Sequence, residues 1–568
     1  MVNIKINKQE YSVSEDLTIL QACRLNNIDI PTLCYLEGIN EVGACRMCLV
    51  EVEGVKDLVA SCNNKVREGM SIISESERID KARITNLKLI LSEHNNDCDN
   101  CKRDGNCRLQ DLKKKYHLED VKNEKKIKTN DWKQNYSFIK DESKCIKCMR
   151  CISICDKVQS LGVWDLVNCG TKTKVALKEN KDISLTKCVS CGQCVSNCPT
   201  AALSENDETN KLLEAINSNK KVVVQIAPAI RAAICEEFNL NYKECNINKI
   251  AAVLKEIGVD YVFDTNFSAD LTIMEEANEL IERLEETKIT PMFTSCCPGW
   301  VAFLKKEYPE LVGSLSSAKS PQQMLGAVIK SYFAQKIKVK PEDIYSVSIM
   351  PCLAKKLEKD LPGMARNNIN DVDLVLSNRE LIRLIKNKGI DIKKIKEVEL
   401  DSPLGEGSGA AVIFGTSGGV MEAALRSAYK FVTKTEAPID CFKNIRGEEG
   451  YKEAEFMLNG IELKVAVVSG LANARKLLER VKNKEVHYNF VEVMACPLGC
   501  INGGGQPINE NRMVKINRSN TLYKLDESSI RRCSHNNPNI IKIYDEYFEK
   551  PLSAKAHTYL HVEHKEVK

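Results

Sequence analysis

The stretch TSCCPGW, residues 294–300, sets two thiols side by side, and two other cysteine-bearing segments, MPCLAKKLE and EVMACPLGCINGGGQP, lie far from it along the chain. Thiolates are soft ligands suited to zinc or iron–sulfur clusters. Neighbouring side chains on an extended backbone point to opposite sides. Cys296 and Cys297 are therefore expected to have different jobs rather than to share one metal atom. Four thiolates from three distant loops, Cys297, Cys352, Cys496 and Cys500, suit one buried cubane assembled by tertiary folding.

The remaining cysteines cluster upstream. Cys34, Cys45, Cys48 and Cys62 place a C-x2-C pair between two more distant thiols, which resembles the [2Fe-2S] loop of plant-type ferredoxins, although the first gap is longer. Zinc remains open there, because cysteine-rich loops do not by themselves separate the two metals. HNNDCDNCKRDGNC offers His94, Cys98, Cys101 and Cys107, a set that on its own suits zinc as well as iron. CIKCMRCISIC and CVSCGQCVSNCP repeat the C-x2-C-x2-C-x3-C run of bacterial two-cluster ferredoxins. The second run keeps the closing proline and the first has Asp156 instead. In such modules the fourth cysteine serves the other cluster. Cys145, Cys148, Cys151 and Cys198 are then one set, and Cys188, Cys191, Cys194 and Cys155 the other.

These ligands need elements to position them. MVNIKINKQEYSV alternates apolar and polar residues like an edge strand, and VSEDLTILQACRLNNIDIPTLC reads as strand, then helix, then the first ligand loop. Beyond residue 210, KVVVQIAPAI, DLVLS, AVIFG and KVAVVSG are of core-strand length and alternate with amphipathic stretches such as LTIMEEANELIERLEE, an α/β pattern. A chain of 568 residues exceeds one core and divides into several domains. The expected fold is multidomain, α+β and α/β. A β-grasp [2Fe-2S] domain covers 1–78, a short histidine/cysteine-ligated [4Fe-4S] segment 79–120, a charged connector 121–139, a two-[4Fe-4S] ferredoxin-like domain 140–209, and a large α/β domain 210–568.

Composition narrows the function. Lys and Arg total 82 against 78 Asp and Glu, with no basic tract, which argues against nucleic-acid and membrane partners. No secretory signal and no run of the roughly 18 apolar residues that a span requires are present, so a cytoplasmic protein is expected. Twenty-six cysteines in metal-type spacings favour metal binding over disulfides. GEGSGAAVIFGTSGGV lacks the GxGxxG order of a dinucleotide loop.

The three C-terminal motifs together with the upstream modules resemble the [FeFe]-hydrogenases, specifically the long monomeric type with four accessory clusters, and the resemblance covers essentially the whole chain. It implies reversible reduction of protons to dihydrogen at an H-cluster, a [4Fe-4S] cubane joined through one cysteine, here Cys500, to a di-iron unit with carbon monoxide, cyanide and azadithiolate ligands. It implies one [2Fe-2S] and three accessory [4Fe-4S] clusters, ferredoxin or flavodoxin as electron partner, maturases that insert the di-iron unit, and a monomer. The energetics agree: the proton couple at pH 7 lies near roughly −410 mV at 59 mV per tenfold change, and plant-type ferredoxin clusters near about −400 mV.

By the same resemblance Cys296 relays protons, followed by Glu276, Ser316 and Glu279 towards the surface, with Arg283 near the outer end; Lys355 bonds a cyanide, and Met350, Met494, Phe414, Pro228, Gln322 and Ala229 surround the di-iron unit. Without it, Glu276, Glu279 and Arg283 read as a solvated helix face and Lys355 as a surface lysine. Cys23, Cys169, Cys235, Cys245, Cys441 and Cys533 have no assigned role. Two departures stand out: Leu498 before Gly499 where the family has two glycines, and Ala229 where some members have serine. The competing readings are a non-catalytic assembly or sensor relative and an electron-transfer subunit of a larger complex.

Overall fold

The computed structural model describes residues 1–119, 132, 136–287 and 290–565, with side chains omitted at 286 and 287. Most of the expected 121–139 connector lies outside the described residues. The chain forms two compact units, residues 1–186 with 197–204, and residues 187–196 with 205–568.

In the first unit β1 (Val2–Ile6) and β2 (Gln9–Val13) form a hairpin. The helix α1 (Ile19–Leu25) follows, opened by a capping box in which Thr18 and Gln21 satisfy each other's backbone N–H groups. β3 (Leu49–Val52), β4 (Val59–Ala60) and β5 (Ser71–Ile73) complete a sheet of order β2-β1-β5-β3-β4. β2 rather than β1 is therefore the edge; β1 alternates because one face is buried, not because it lacks a neighbour. Val2, Ile4, Ile6, Ile19, Leu20 and Ile72 pack between this sheet and α1. The helix α2 (Glu77–Glu93), capped by Ser76, follows and ends at His94.

The second unit holds two four-stranded sheets. β6 (Lys221–Ile226) lies between β7 (Tyr261–Asp264) and β9 (Ile344–Met350), and β10 (Leu374–Ser377) extends the sheet; every pairing is parallel. In the other sheet β8 (Met292–Phe293), β13 (Phe490–Met494) and β12 (Ile461–Ser469) run parallel, and β11 (Tyr451–Leu458) closes it antiparallel. β6, β9, β10 and β13 are buried along nearly their whole length, as parallel strands covered on both faces must be.

Five helices matter to the site: α3 (Thr265–Glu282), α4 (Pro298–Glu307), α5 (Lys355–Glu358), α6 (Gly419–Thr433) and α7 (Arg512–Ser528). AVIFG departs from expectation, folding as helical turns over Gly409–Val412 and Ile413–Gly415. A five-residue apolar run buried on all sides has no periodicity by which strand and helix differ, and Ser408 caps it as a helix. No helix among the described residues is long and apolar enough to cross a membrane.

Candidate active site

The cysteine loops of the second unit share one topological position. Cys296 and Cys297 follow β8, Cys352 follows β9, Cys496 and Cys500 follow β13, and Pro228 and Ala229 follow β6. All four loops leave the carboxyl ends of parallel strands, the ends at which α/β sheets bind ligands. There they border a cavity lined by Cys296, Cys297, Cys352, Lys355 and Cys500. Met350, Met494, Phe414, Pro228, Gln322 and Ala229 form its other walls. Cys496 stands just behind, its thiol beside Cys352, Cys297 and Cys500, and the Cys297 sulfur accepts a bond from the Ala495 N–H at 3.4 Å. Burial pushes the thiols of Cys297, Cys352, Cys496 and Cys500 up, Cys352 to about 11. Four sulfurs gathered where each resists ionisation are a donor set that needs bound metal to hold its charge, which an iron–sulfur cubane supplies. The wall also offers the buried Gln322 Oε1, which has no partner among the described residues. The residues present fit an H-cluster.

Lys355 is not the surface lysine of its residue type. It is 9% exposed, and its ammonium donates to Glu358 at 2.9 and 3.0 Å and to the Cys296 carbonyl at 3.0 Å. Burial works against its charge, but Glu358 overcomes that and the pKa is raised. Glu358 also accepts from Gln322 and Ser320 at 3.0 Å. Sequence reasoning missed this residue, although its place three beyond Lys355 in a helix was the available signal.

On the other side of Cys296, α3 carries Glu276 and Glu279, and Arg283 follows at its C-terminal end. Burial and then the Glu276 carboxyl raise the Cys296 thiol well above its ordinary value. Glu276 is pushed up to about 8, first by burial and second by Glu279. Ser316 stands beside both carboxyls, but its single hydroxyl proton goes to Glu279 at 2.8 Å, and neither Glu276 oxygen has a hydrogen-bond partner among the described residues. Glu279 further accepts from the Ser317 N–H and, at 2.7 Å, from Arg283. Arg283 is anchored on the Leu315 carbonyl at 2.7 Å. A second missed group is Glu492, fully buried on β13, where it accepts from the N–H groups of Gly418 and Met421 and is pushed up to about 7 by burial.

In the first unit Cys34 shares a hydrogen bond with Cys45, and Cys48 with Cys62; the acceptors of these pairs, Cys45 and Cys48, are lowered to about 6 and about 7. His94, Cys98, Cys101 and Cys107 line one pocket. There the Lys144 carbonyl engages His94 Nδ1 at 3.2 Å, the outer partner that frees Nε2 for a metal, and burial lowers the imidazole to about 4, keeping it neutral. Cys145, Cys148, Cys151 and Cys198 line another pocket. In the second unit Cys191 touches the cubane loop: its carbonyl lies 4.0 Å from the Cys496 sulfur.

Residues 220–504 match the family described as iron only hydrogenase large subunit, C-terminal domain. The chain is 40% identical to iron hydrogenase 1 of Clostridium pasteurianum over the full length of both. It belongs to the iron-only hydrogenases. The NADP-reducing hydrogenase subunit HndD of Solidesulfovibrio fructosivorans is 42% identical over 99% of this chain and 98% of its own. The solved apo [FeFe]-hydrogenase HydA1 of Chlamydomonas reinhardtii is 41% identical, with a TM-score of 0.58, and matches 64% of this chain and 99% of its own. Other parts of this hydrogenase match a 2Fe-2S iron-sulfur cluster binding domain (1–77), an NADH-ubiquinone oxidoreductase-G iron-sulfur binding region (83–122), a 4Fe-4S binding domain (182–204) and an iron hydrogenase small subunit (512–567). The hydrogenase is an oxidoreductase acting on dihydrogen, with an H-cluster domain and iron–sulfur domains.

Proposed function

We propose that Cys297, Cys352, Cys496 and Cys500 hold the cubane of the H-cluster, that Cys500 joins it to the di-iron unit, and that Cys296 is the proton relay. The observation that carries this reading is one cavity shared by three of the proposed cubane thiols, Cys297, Cys352 and Cys500, with Cys296 and Lys355. When bound, the cluster supplies an open iron position where protons and electrons combine reversibly to dihydrogen. The chain does the rest. Lys355, clamped by Glu358, presents a fixed positive charge able to make a charge-assisted bond to a cyanide ligand. Met350, Met494 and Phe414 keep the pocket dry and polarizable. Cys296 takes a proton at its sulfur and passes it to a Glu276 oxygen, the Ser316 hydroxyl hands it to Glu279, and Glu279, held by Arg283, delivers it to solvent.

Electrons are proposed to arrive through one [2Fe-2S] and three [4Fe-4S] clusters, on Cys34, Cys45, Cys48 and Cys62, on His94, Cys98, Cys101 and Cys107, and on the paired runs. The contact of Cys191 with Cys496 supports the last step. Ferredoxin is the proposed donor and the chain a monomer. The close relative named as a subunit of an NADP-reducing enzyme favours a second reading of the donor, a partner subunit rather than a free carrier. Infrared spectroscopy of the matured protein is expected to show carbon monoxide and cyanide bands that shift when Lys355 is replaced by Met. Bands absent after full maturation would overturn the H-cluster assignment.

A further inference from the structure

Away from the cavity, Glu436, Cys533 and His535 bring a carboxylate oxygen, a sulfur and a ring nitrogen within 4.8 Å of one another, the only such group of three among the described residues. Ligands of a tetrahedral zinc ion, at bond lengths of about 2.0–2.3 Å, lie about 3.5 Å apart, so no pair in the set needs to close by more than about 1.3 Å. Every donor but the sulfur already has the outer partner that metal ligands use for orientation. Ser427 Oγ is 3.0 Å from His535 Nδ1 and Lys430 Nζ is 3.1 Å from Glu436 Oε1. The two atoms left over, His535 Nε2 and Glu436 Oε2, face each other at 3.0 Å. The Cys533 sulfur makes no hydrogen bond among the described residues. Ser427 and Lys430 sit one turn apart on α6, Glu436 lies three residues past its end, and Cys533 and His535 flank the start of one tight turn. The guanidiniums of Arg426 and Arg532, both near Cys533, share Asp526 and are each paired with a further carboxylate, Glu422 and Asp440 respectively.

We propose that Glu436, Cys533 and His535 form a binding site for a thiophilic divalent cation, zinc by its match to sulfur, imidazole and carboxylate donors, with water completing the tetrahedron. The ion ties residues matching the small-subunit family to the segment just past α6, within the match to the large-subunit family. Binding exchanges the Cys533 thiol proton for the ion and releases that proton to solvent. The site does not rest on the H-cluster reading.

The test uses matured, cluster-replete enzyme incubated with equimolar zinc sulfate and then gel-filtered, with zinc counted by mass spectrometry and its surroundings read at the zinc K-edge, where iron is silent. The expected result is about one zinc per chain with one sulfur neighbour at about 2.3 Å and nitrogen or oxygen neighbours at about 2.0 Å. Cys533→Ala and Glu436→Gln should each lower retained zinc about tenfold or more, and Ser427→Ala about tenfold through the lost outer contact, with hydrogen turnover in zinc-free buffer unchanged. Zinc washed off the wild type, zinc surrounded by four sulfurs, or retention untouched by Cys533→Ala would each overturn the site.

Discussion

Glu276 is a buried carboxyl whose oxygens have no hydrogen-bond partner among the described residues, and its pKa of about 8 follows from burial and from the neighbouring Glu279. At neutral pH it is mostly protonated, so it can receive a proton on one oxygen while releasing one from the other. A carboxyl with a raised folded-state pKa costs stability when it ionises. The folded state then holds more protons than the unfolded one, and stability falls as pH rises from the unfolded value of about 4.3 towards 8. Glu276→Gln is expected to flatten that decline in melting temperature across this window while lowering turnover about 10²-fold or more. Cys296→Ser should nearly abolish turnover at unchanged iron content, because a hydroxyl is a far weaker acid than a thiol; equal activity would remove the relay role.

At the scale of elements, α5 places Lys355 and Glu358 on one face as a buried pair. Glu358→Gln leaves the ammonium underpaired in a dry pocket and should cost about 3–5 kcal/mol, seen as a fall in melting temperature, together with a shift of the cyanide bands. The cysteine loops pack equally tightly. A Cβ on Gly504 would lie 2.4 Å from the Cys191 carbonyl and 2.6 Å from the Gly192 Cα, so Gly504→Ala should destabilise by about 1–3 kcal/mol in chemical unfolding and is not rescued by smaller neighbours, the obstacle being backbone. Leu498 occupies the left-handed region at φ 66°, where a glycine carries no strain, and its side chain joins the apolar cluster of Ala229, Val412 and Leu522. The two departures noted in the sequence thus belong to one apolar cluster.

At the scale of the molecule, the first unit carries iron–sulfur modules and the second the hydrogen chemistry. Disabling an accessory ligand should separate the two. Cys98→Ala is expected to slow ferredoxin-driven turnover severalfold or more while leaving the carbon monoxide and cyanide bands unchanged; loss of those bands as well would mean that the segment supports folding rather than electron flow.

The N-terminal groups of candidate ligands stood out because C-x2-C spacing is local: a few residues of loop can bring two sulfurs to one cluster whatever the rest of the chain does. The helix of Glu276 and Glu279 was legible by periodicity, and the α/β character by its alternating segments. Convergence is another matter. Cys297, Cys352 and Cys500 meet only because the carboxyl ends of β8 and β13 in one sheet and of β9 in the other open onto one cavity, and strand order is a long-range property with no short sequence signal. The clamp of Glu358 on Lys355 and the choice of Ser316 to bond Glu279 rather than Glu276 likewise appear only in three dimensions. Local spacing determines which atoms can ligate or relay; burial and the crossing of sheets decide which of them face one another, because desolvation and charge proximity are properties of the packed interior and not of the chain.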